Sequence, residues 1–409
     1  MRHSLHFALF VPAIAVACSS TPAPEPTPPP KATAAPPTVD TAAMETATPA
    51  TASPTAAPAP TQIANVEPVT DGSQNGACPA DMVLVEGDYC TEIEEHKCKK
   101  EWWAESNKKR VCEEFESTKP KCTGKIVKKR YCIDKFEWPN QKGVRPEVMN
   151  RFHQAQVKCA AVGKRMCQEA EWNFACEGPD MKPFPYGYKR DPYKCNGDHL
   201  WDDPDMKKVE KRDPTELARL WKGVPSGSQP DCVSDFGVWD MPANADEVVA
   251  SDQGKNSRRG EFDSVHTGGP WYSGVRNQCR PKVYTHGEDF YYYFLSFRCC
   301  AEPDGKATDP RTARQISDGW KMDKVEKLAQ FTVAEMKDKL ALKKQGKCDC
   351  KATDILCKTM CGTLLGPDAK DATADSPRAR YAGKKLKGDV PSATVEGETK
   401  PKKKKKKKD

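Results

Sequence analysis

Apolar residues along this 409-residue chain are gathered in patches of different period. The first is unbroken. Leu5 to Val16 follows the charged Arg2, is too short to span a bilayer as a mature helix, and reads as an export signal. From Ser19 to about Asn75 the pattern dissolves into Pro, Ala, Thr and Ser, which cannot bury enough surface to offset the entropy of ordering. Residues 19–75 are therefore expected to be a disordered tether with polyproline character. Between Pro146 and Val162, residues Val148, Phe152, Ala155 and Cys159 recur at helical spacing, with Pro146 suited to the first turn and Gly163 to the end. This predicts an amphipathic helix with one buried face. A second helix is predicted from about Gln168 to Cys176, with Ala170, Trp172, Ala175 and Cys176 as its apolar surface. The capping-box run Thr332-Val333-Ala334-Glu335 opens a third, carrying Val333, Met336, Leu340 and Ala341. Cys90 to Cys132 shows little alternation among many Lys and Glu residues and reads as an insertion held by disulfides. The aromatic run Phe290 to Phe294 is expected to alternate between core and solvent, its outward tyrosines able to stack on sugar or peptide.

Charge changes the picture at one end only. The formal charge is +7, but without Lys400, Lys402 to Lys408 and Asp409 the chain holds 57 basic and 57 acidic residues. The surplus is a terminal lysine run. For an exported protein its nearest partners are anionic lipid, phosphorylated lipopolysaccharide or acidic polysaccharide, not nucleic acid; a solvated tail without a ligand is the plainer alternative. There are 19 cysteines. Ala15-Val16-Ala17-Cys18 resembles a bacterial lipobox, which implies an acylated Cys18 as membrane anchor. Setting Cys18 aside leaves 18, an even number that reads in an oxidising compartment as up to nine disulfides. Cys348, Cys350, Cys357 and Cys361 suit two disulfides closing a hairpin, with a four-thiolate zinc site as the alternative.

Seven short motifs then follow in order: YCIDKFEW (131–138), GKRMCQEAEWNFACEGP (163–179), FPYG (184–187), DFGVWDM (235–241), ANADEV (243–248), GGPW (268–271) and FRCC (297–300). Together they resemble the formylglycine-generating-enzyme family, or sulfatase-modifying-factor domain, whose runs include GKRLPTEAEWE, YPWG, GNVWEW, RGGSW and GFR. The resemblance covers about 78–303. It implies an α+β, modified C-type-lectin-like fold, loop-rich and here disulfide-stabilised. The expected division is a lipoprotein signal (1–18), linker (19–75), family-like domain (78–303), small helical extension with cysteines (311–365) and disordered basic tail (366–409).

In catalytically active members two cysteines after the glycine pair bind copper and oxidise a substrate cysteine. Here Ser273 and Gln278 stand at those positions, and Cys279 comes one residue late. A serine hydroxyl is a poor ligand for Cu(I), so copper is not expected, and Cys279 is the one catalytic candidate, with a structural disulfide as its other reading. Iron is not expected either. His96, His153, His199, His266 and His286 lack the spacing of a facial triad, although His266 lies just before the glycine pair. The family loop GNVWEW binds a structural calcium ion. The matching run keeps Asn244 and Glu247 and adds Asp246, and Asn196 resembles a second oxygen-ligand position, so these four are the expected calcium ligands. Glu169, Glu171 and Trp172 are expected to brace loops, and Arg298 to pair with a buried carboxylate. These readings favour an envelope-anchored lipoprotein, in the periplasm or at the cell surface, whose domain binds peptide, peptidoglycan or acidic polysaccharide. The alternative is a metal-dependent oxidoreductase acting on a thiol or cysteine substrate.

Overall fold

The computed structural model describes residues 76–104, 109–272 and 274–379. The signal with Cys18, the 19–75 linker, Ser273 and the lysine run lie outside the described residues. In chain order the first elements are β1 (Met82–Cys90), β2 (Cys98–Ala104), β3 (Lys109–Phe115), β4 (Ile126–Asp134), α1 (Phe152–Ala161), β5 (Arg165–Met166) and α2 (Glu169–Glu177). Then come α3 (Met206–Glu210), α4 (Pro214–Leu220), β6 (Asp246–Ala250), β7 (Ser264–Thr267), β8 (Lys282–Val283), β9 (Leu295–Ser296) and β10 (Cys299–Ala301). Four helices end the series: α5 (Ala313–Ser317), α6 (Met322–Ala329), α7 (Val333–Lys344) and α8 (Ile355–Cys361).

Two four-stranded sheets form, in the orders β1-β4-β10-β5 and β8-β7-β6-β9, with β2 and β3 as a separate hairpin. Alternation along β1 turns Val83, Val85 and Tyr89 inward beside Tyr131 and Ile133 of β4. Helix α2 fills the space between these strands and Val249 and Val265 of the other sheet, burying Trp172 and Phe174. It starts where the sequence places it, and Glu171 braces that start: Gln168 N donates to Glu171 Oε2 at 2.8 Å, while Arg165 grips both oxygens of Glu171 at 2.8 and 2.7 Å. The α+β, loop-rich class is as the motifs imply.

Helix α1 departs from the expectation in two ways. It starts at Phe152, not near Pro146, because Met149 has φ 69° and the backbone N–H groups of Glu147 and Met149 donate to Trp138 and Tyr292 carbonyls. It is also buried on nearly every side rather than on one face. The cause is the C-terminal extension. Val325, Ala329, Phe331, Met336 and Met360 share one core with Phe152, Ala155 and Val157. The polar face beneath it is satisfied: Lys158 Nζ donates to Glu147 Oε2 (2.6 Å) and Thr359 O (2.7 Å), and Gln156 Nε2 to Pro310 O (2.7 Å). The expected disordered tail also begins too early. Packing continues to Ala379, with Asp371 accepting from Arg145 at 2.6 Å and Arg378 buried over the Tyr193 ring. The aromatic run 290–294 is a loop leading into β9, with Tyr293 and Phe294 inside.

Nine disulfides join the 18 cysteines from Cys78 to Cys361. Cys98–Cys112 crosses the β2–β3 hairpin and Cys90–Cys122 closes the insertion at its base, as expected. Cys348–Cys361 and Cys350–Cys357 pair the four extension cysteines. Cys159–Cys299 and Cys167–Cys300 fasten β10 to α1 and to the turn before α2. Closing loops of this length contributes about 3–5 kcal/mol each in the chain-entropy view.

Between β9 and β10 the chain crosses from one sheet to the other, and Arg298 sits at the crossing, fully buried. Its Nε and NH2 donate to Glu247 Oε2 and Oε1 at 2.7 Å each, NH2 also to Trp239 O (3.0 Å) and NH1 to Asp134 O (3.3 Å). Removing one member of a buried pair leaves the other charge without compensation. Glu247→Gln is therefore expected to lower unfolding free energy by about 3–5 kcal/mol in guanidinium titrations without reductant; a loss below about 1 kcal/mol would show that Arg298 does not depend on this partner.

Candidate functional site

The four expected calcium ligands fall into two settings. Asn196 and Asn244 are brought together: Asn196 Nδ2 donates to Asn244 Oδ1 at 3.1 Å, and Asn244 N donates to Asn196 O at 3.0 Å. Asn244 Oδ1 also accepts from Val224 N (2.9 Å), while its Nδ2 donates to Glu137 Oε1 (2.8 Å). Asp246 and Glu247 are neighbours on β6 and so face opposite ways. Glu247 gives both oxygens to Arg298. Asp246 Oδ1 accepts from Arg276 (2.6 Å) and Gly269 N (3.3 Å), which leaves Oδ2 buried and unpartnered, 3.8 Å from His266 Nδ1. Calcium gathers about six to eight oxygens. Asn244 and Glu247 spend their oxygens on N–H donors, and the two carboxylates are already matched by arginine. The set as arranged does not fit calcium. Beside it, burial with Glu137 as neighbour holds the Asp240 carboxyl well above its ordinary range.

The loop after β7 holds the glycine pair and the positions that the resemblance aligns with the family's cysteines. Gly268 and Gly269 have φ 80° and 68°, and a Cβ on Gly268 would stand 2.9 Å from the Trp172 ring. Glycine is required at both. Asn277 Nδ2 braces the turn by donating to the carbonyls of Gly268, Gly269 and Pro270 at 3.2, 3.1 and 2.9 Å. Gln278 donates weakly to Val275 O at 3.5 Å. Cys279 is buried and bonded to Cys176 of α2. His266 is buried too, stacked on His286, and burial beside Arg276 holds it well below the usual imidazole range.

Just past Cys279 the chain opens onto a cleft of about 750 Å³ that no sequence motif had singled out. Arg280, Lys282 and Tyr284 line it, the period-two face of the β8 segment. Opposite them stand Glu169 and Asn173 of α2, Asp252 and Arg259 from the loop after β6, Tyr89 of β1, and Glu92 and Lys129. The alternation Arg-Pro-Lys-Val-Tyr was the available signal. Arg280 is neutralised, donating to both oxygens of Glu177 at 2.6 Å and to Cys90 O at 2.8 Å. Lys282 lies 5.8 Å from the centre of the Trp172 ring, and burial pushes its ammonium down to about 8. Burial likewise lifts the Tyr89 phenol to about 12. Glu169, expected only as a brace, accepts from Tyr284 OH through Oε1, and its Oε2 is buried without a partner.

Residues 86–303 match the sulfatase-modifying factor enzyme 1-like domain. Among solved structures the chain is similar to CarF, at 12% identity and a TM-score of 0.35, covering 55% of this chain and 98% of CarF. It is similar to PvdO from Pseudomonas aeruginosa at 16% identity and 0.33, covering 54% and 93%. For Treponema denticola variable protein 1 the values are 11% and 0.30, with 54% and 95% covered. Comparison with curated proteins gave no match.

The occupied oxygens around Glu247 lead to a simple expectation for calcium. The thermal midpoint of the chain should be the same in chelator and in millimolar calcium. A bound ion at a hundred times its Kd would add about 2.7 kcal/mol, so a clear upward shift would show that the arginines give way to the ion.

Proposed function

The chain belongs to the sulfatase-modifying factor enzyme 1-like domain family, and from that premise we propose that it is a binding module of the bacterial cell envelope, anchored through an acylated Cys18. The cleft between α2 and the β8 segment is its ligand surface, for peptide, peptidoglycan or acidic polysaccharide. One observation carries this reading: Cys279 is spent in a disulfide with Cys176. Copper(I) is held by thiolate or thioether donors, and every cysteine among the described residues is paired, so no thiolate remains at this face. What remains at this face is a polar cleft on a rigid frame, and a fold of this kind serves binding as readily as catalysis. The nine disulfides support an oxidising compartment, as an exported protein requires. The lysine run at 402–408 adds retention on anionic envelope surfaces.

Oxygen uptake tests the reading. The full chain, given copper(I) and a cysteine peptide, is expected to consume no more oxygen than a copper blank. Uptake above the blank that disappears in Cys279→Ser would overturn the binding reading in favour of the oxidoreductase.

A further inference from the structure

The cleft holds charges of both signs that act on one another without closing into ion pairs: Lys282 feels Glu169 and Asp252, and Asp252 feels Lys129. Among the described residues, Lys129, Arg259 and Lys282 have no carboxylate within ion-pair distance, and Glu92, Glu169 and Asp252 have no cation there. Groups free to do so would collapse into pairs. Here neutral partners hold three of them in place. Lys282 Nζ donates to the amide oxygen of Asn173, Glu169 accepts from the Tyr284 hydroxyl, and Asp252 Oδ2 accepts from Ala170 N at 2.6 Å. Each partner fixes a charged group without cancelling its charge. Such an arrangement is pre-organised for a ligand that brings the missing charges with it. The bare Oε2 of Glu169, on a residue only 6% exposed, is the clearest unmet acceptor.

Resting on the binding-module reading, we propose that the cleft takes a zwitterionic ligand carrying an ammonium and a carboxylate a few bonds apart, as in a short peptide or a peptidoglycan stem. The carboxylate meets Lys282, with Arg259 at the rim, and the ammonium meets Glu169 and Asp252. A polyanion is disfavoured, because the same cleft presents three carboxylates to it.

The test is calorimetric titration of the full chain with alanyl-alanine, its N-acetyl form, its amide, and an oligogalacturonate. The free dipeptide is expected to bind at least about tenfold more tightly than either blocked form. Lys282→Met should weaken the free dipeptide about tenfold yet leave the amide unchanged, since the amide has no carboxylate to lose; Glu169→Gln should do the same for the N-acetyl form. Thermal melts confirm that the variants are folded. Equal binding of free and blocked forms, or an equal effect of Lys282→Met on all probes, overturns the inference. Oligogalacturonate bound in a Lys282-dependent way, with no dipeptide binding, overturns it while the binding module stands. No binding of any probe by a cooperatively melting chain defeats both.

Discussion

Arg298 is a permanent cation with no surface in water, and the domain is organised around keeping it satisfied. It stands where the chain leaves one sheet for the other, and its donors reach the end of β4, the Trp239 turn and Glu247 of β6. Glu137, Asp240 and Asn244 close the shell around it. Residues from four of the separated sequence motifs thus meet at one charge. The two disulfides that follow at once, through Cys299 and Cys300, hold the crossing strand so that the guanidinium cannot withdraw. With so little regular structure to lend stiffness, this buried polar centre and the nine disulfides do the work that long strands do elsewhere.

The same commitment shapes what the site can do. Glu247 cannot serve both an arginine and a metal cation, and Arg298 has the better claim because, among the described residues, it has no other carboxylate in direct contact. A similar exclusion holds at Cys279, whose sulfur is taken by Cys176. Closing these two options leaves the cleft beyond Cys279, where charges are held apart by neutral partners instead of being cancelled. Rigidity there has a source: α2, which supplies Glu169 and Asn173, is packed between both sheets and tied to the cleft segment by Cys176–Cys279.

Much of the fold was legible in the sequence, because motif order and cysteine number bear directly on topology. The α2 boundaries, the Thr332 cap, the disulfide-held insertion and the carboxylate partner of Arg298 followed from local chemistry. The burial of α1 did not, since it depends on a C-terminal extension whose contacts to Gln156 and Lys158 come from 154 and 201 residues away. Disulfide connectivity was open for the same reason: spacing carries no record of which loops meet. The sequence pairs Arg298 with an unnamed buried carboxylate and separately assigns calcium to Glu247, and only the folded arrangement shows that both readings claim the same oxygens. The cleft escaped notice because its residues come from six segments, of which only Arg280, Lys282 and Tyr284 form a readable pattern.

The most direct measurement is disulfide mapping of the full chain after alkylation in the folded state. A binding, non-oxidase domain requires a cross-linked peptide joining Cys176 to Cys279 in essentially every molecule, with no alkylated Cys279. Recovery of alkylated Cys279 from folded protein would contradict it, and would return a free thiol to the loop where this family carries out its chemistry.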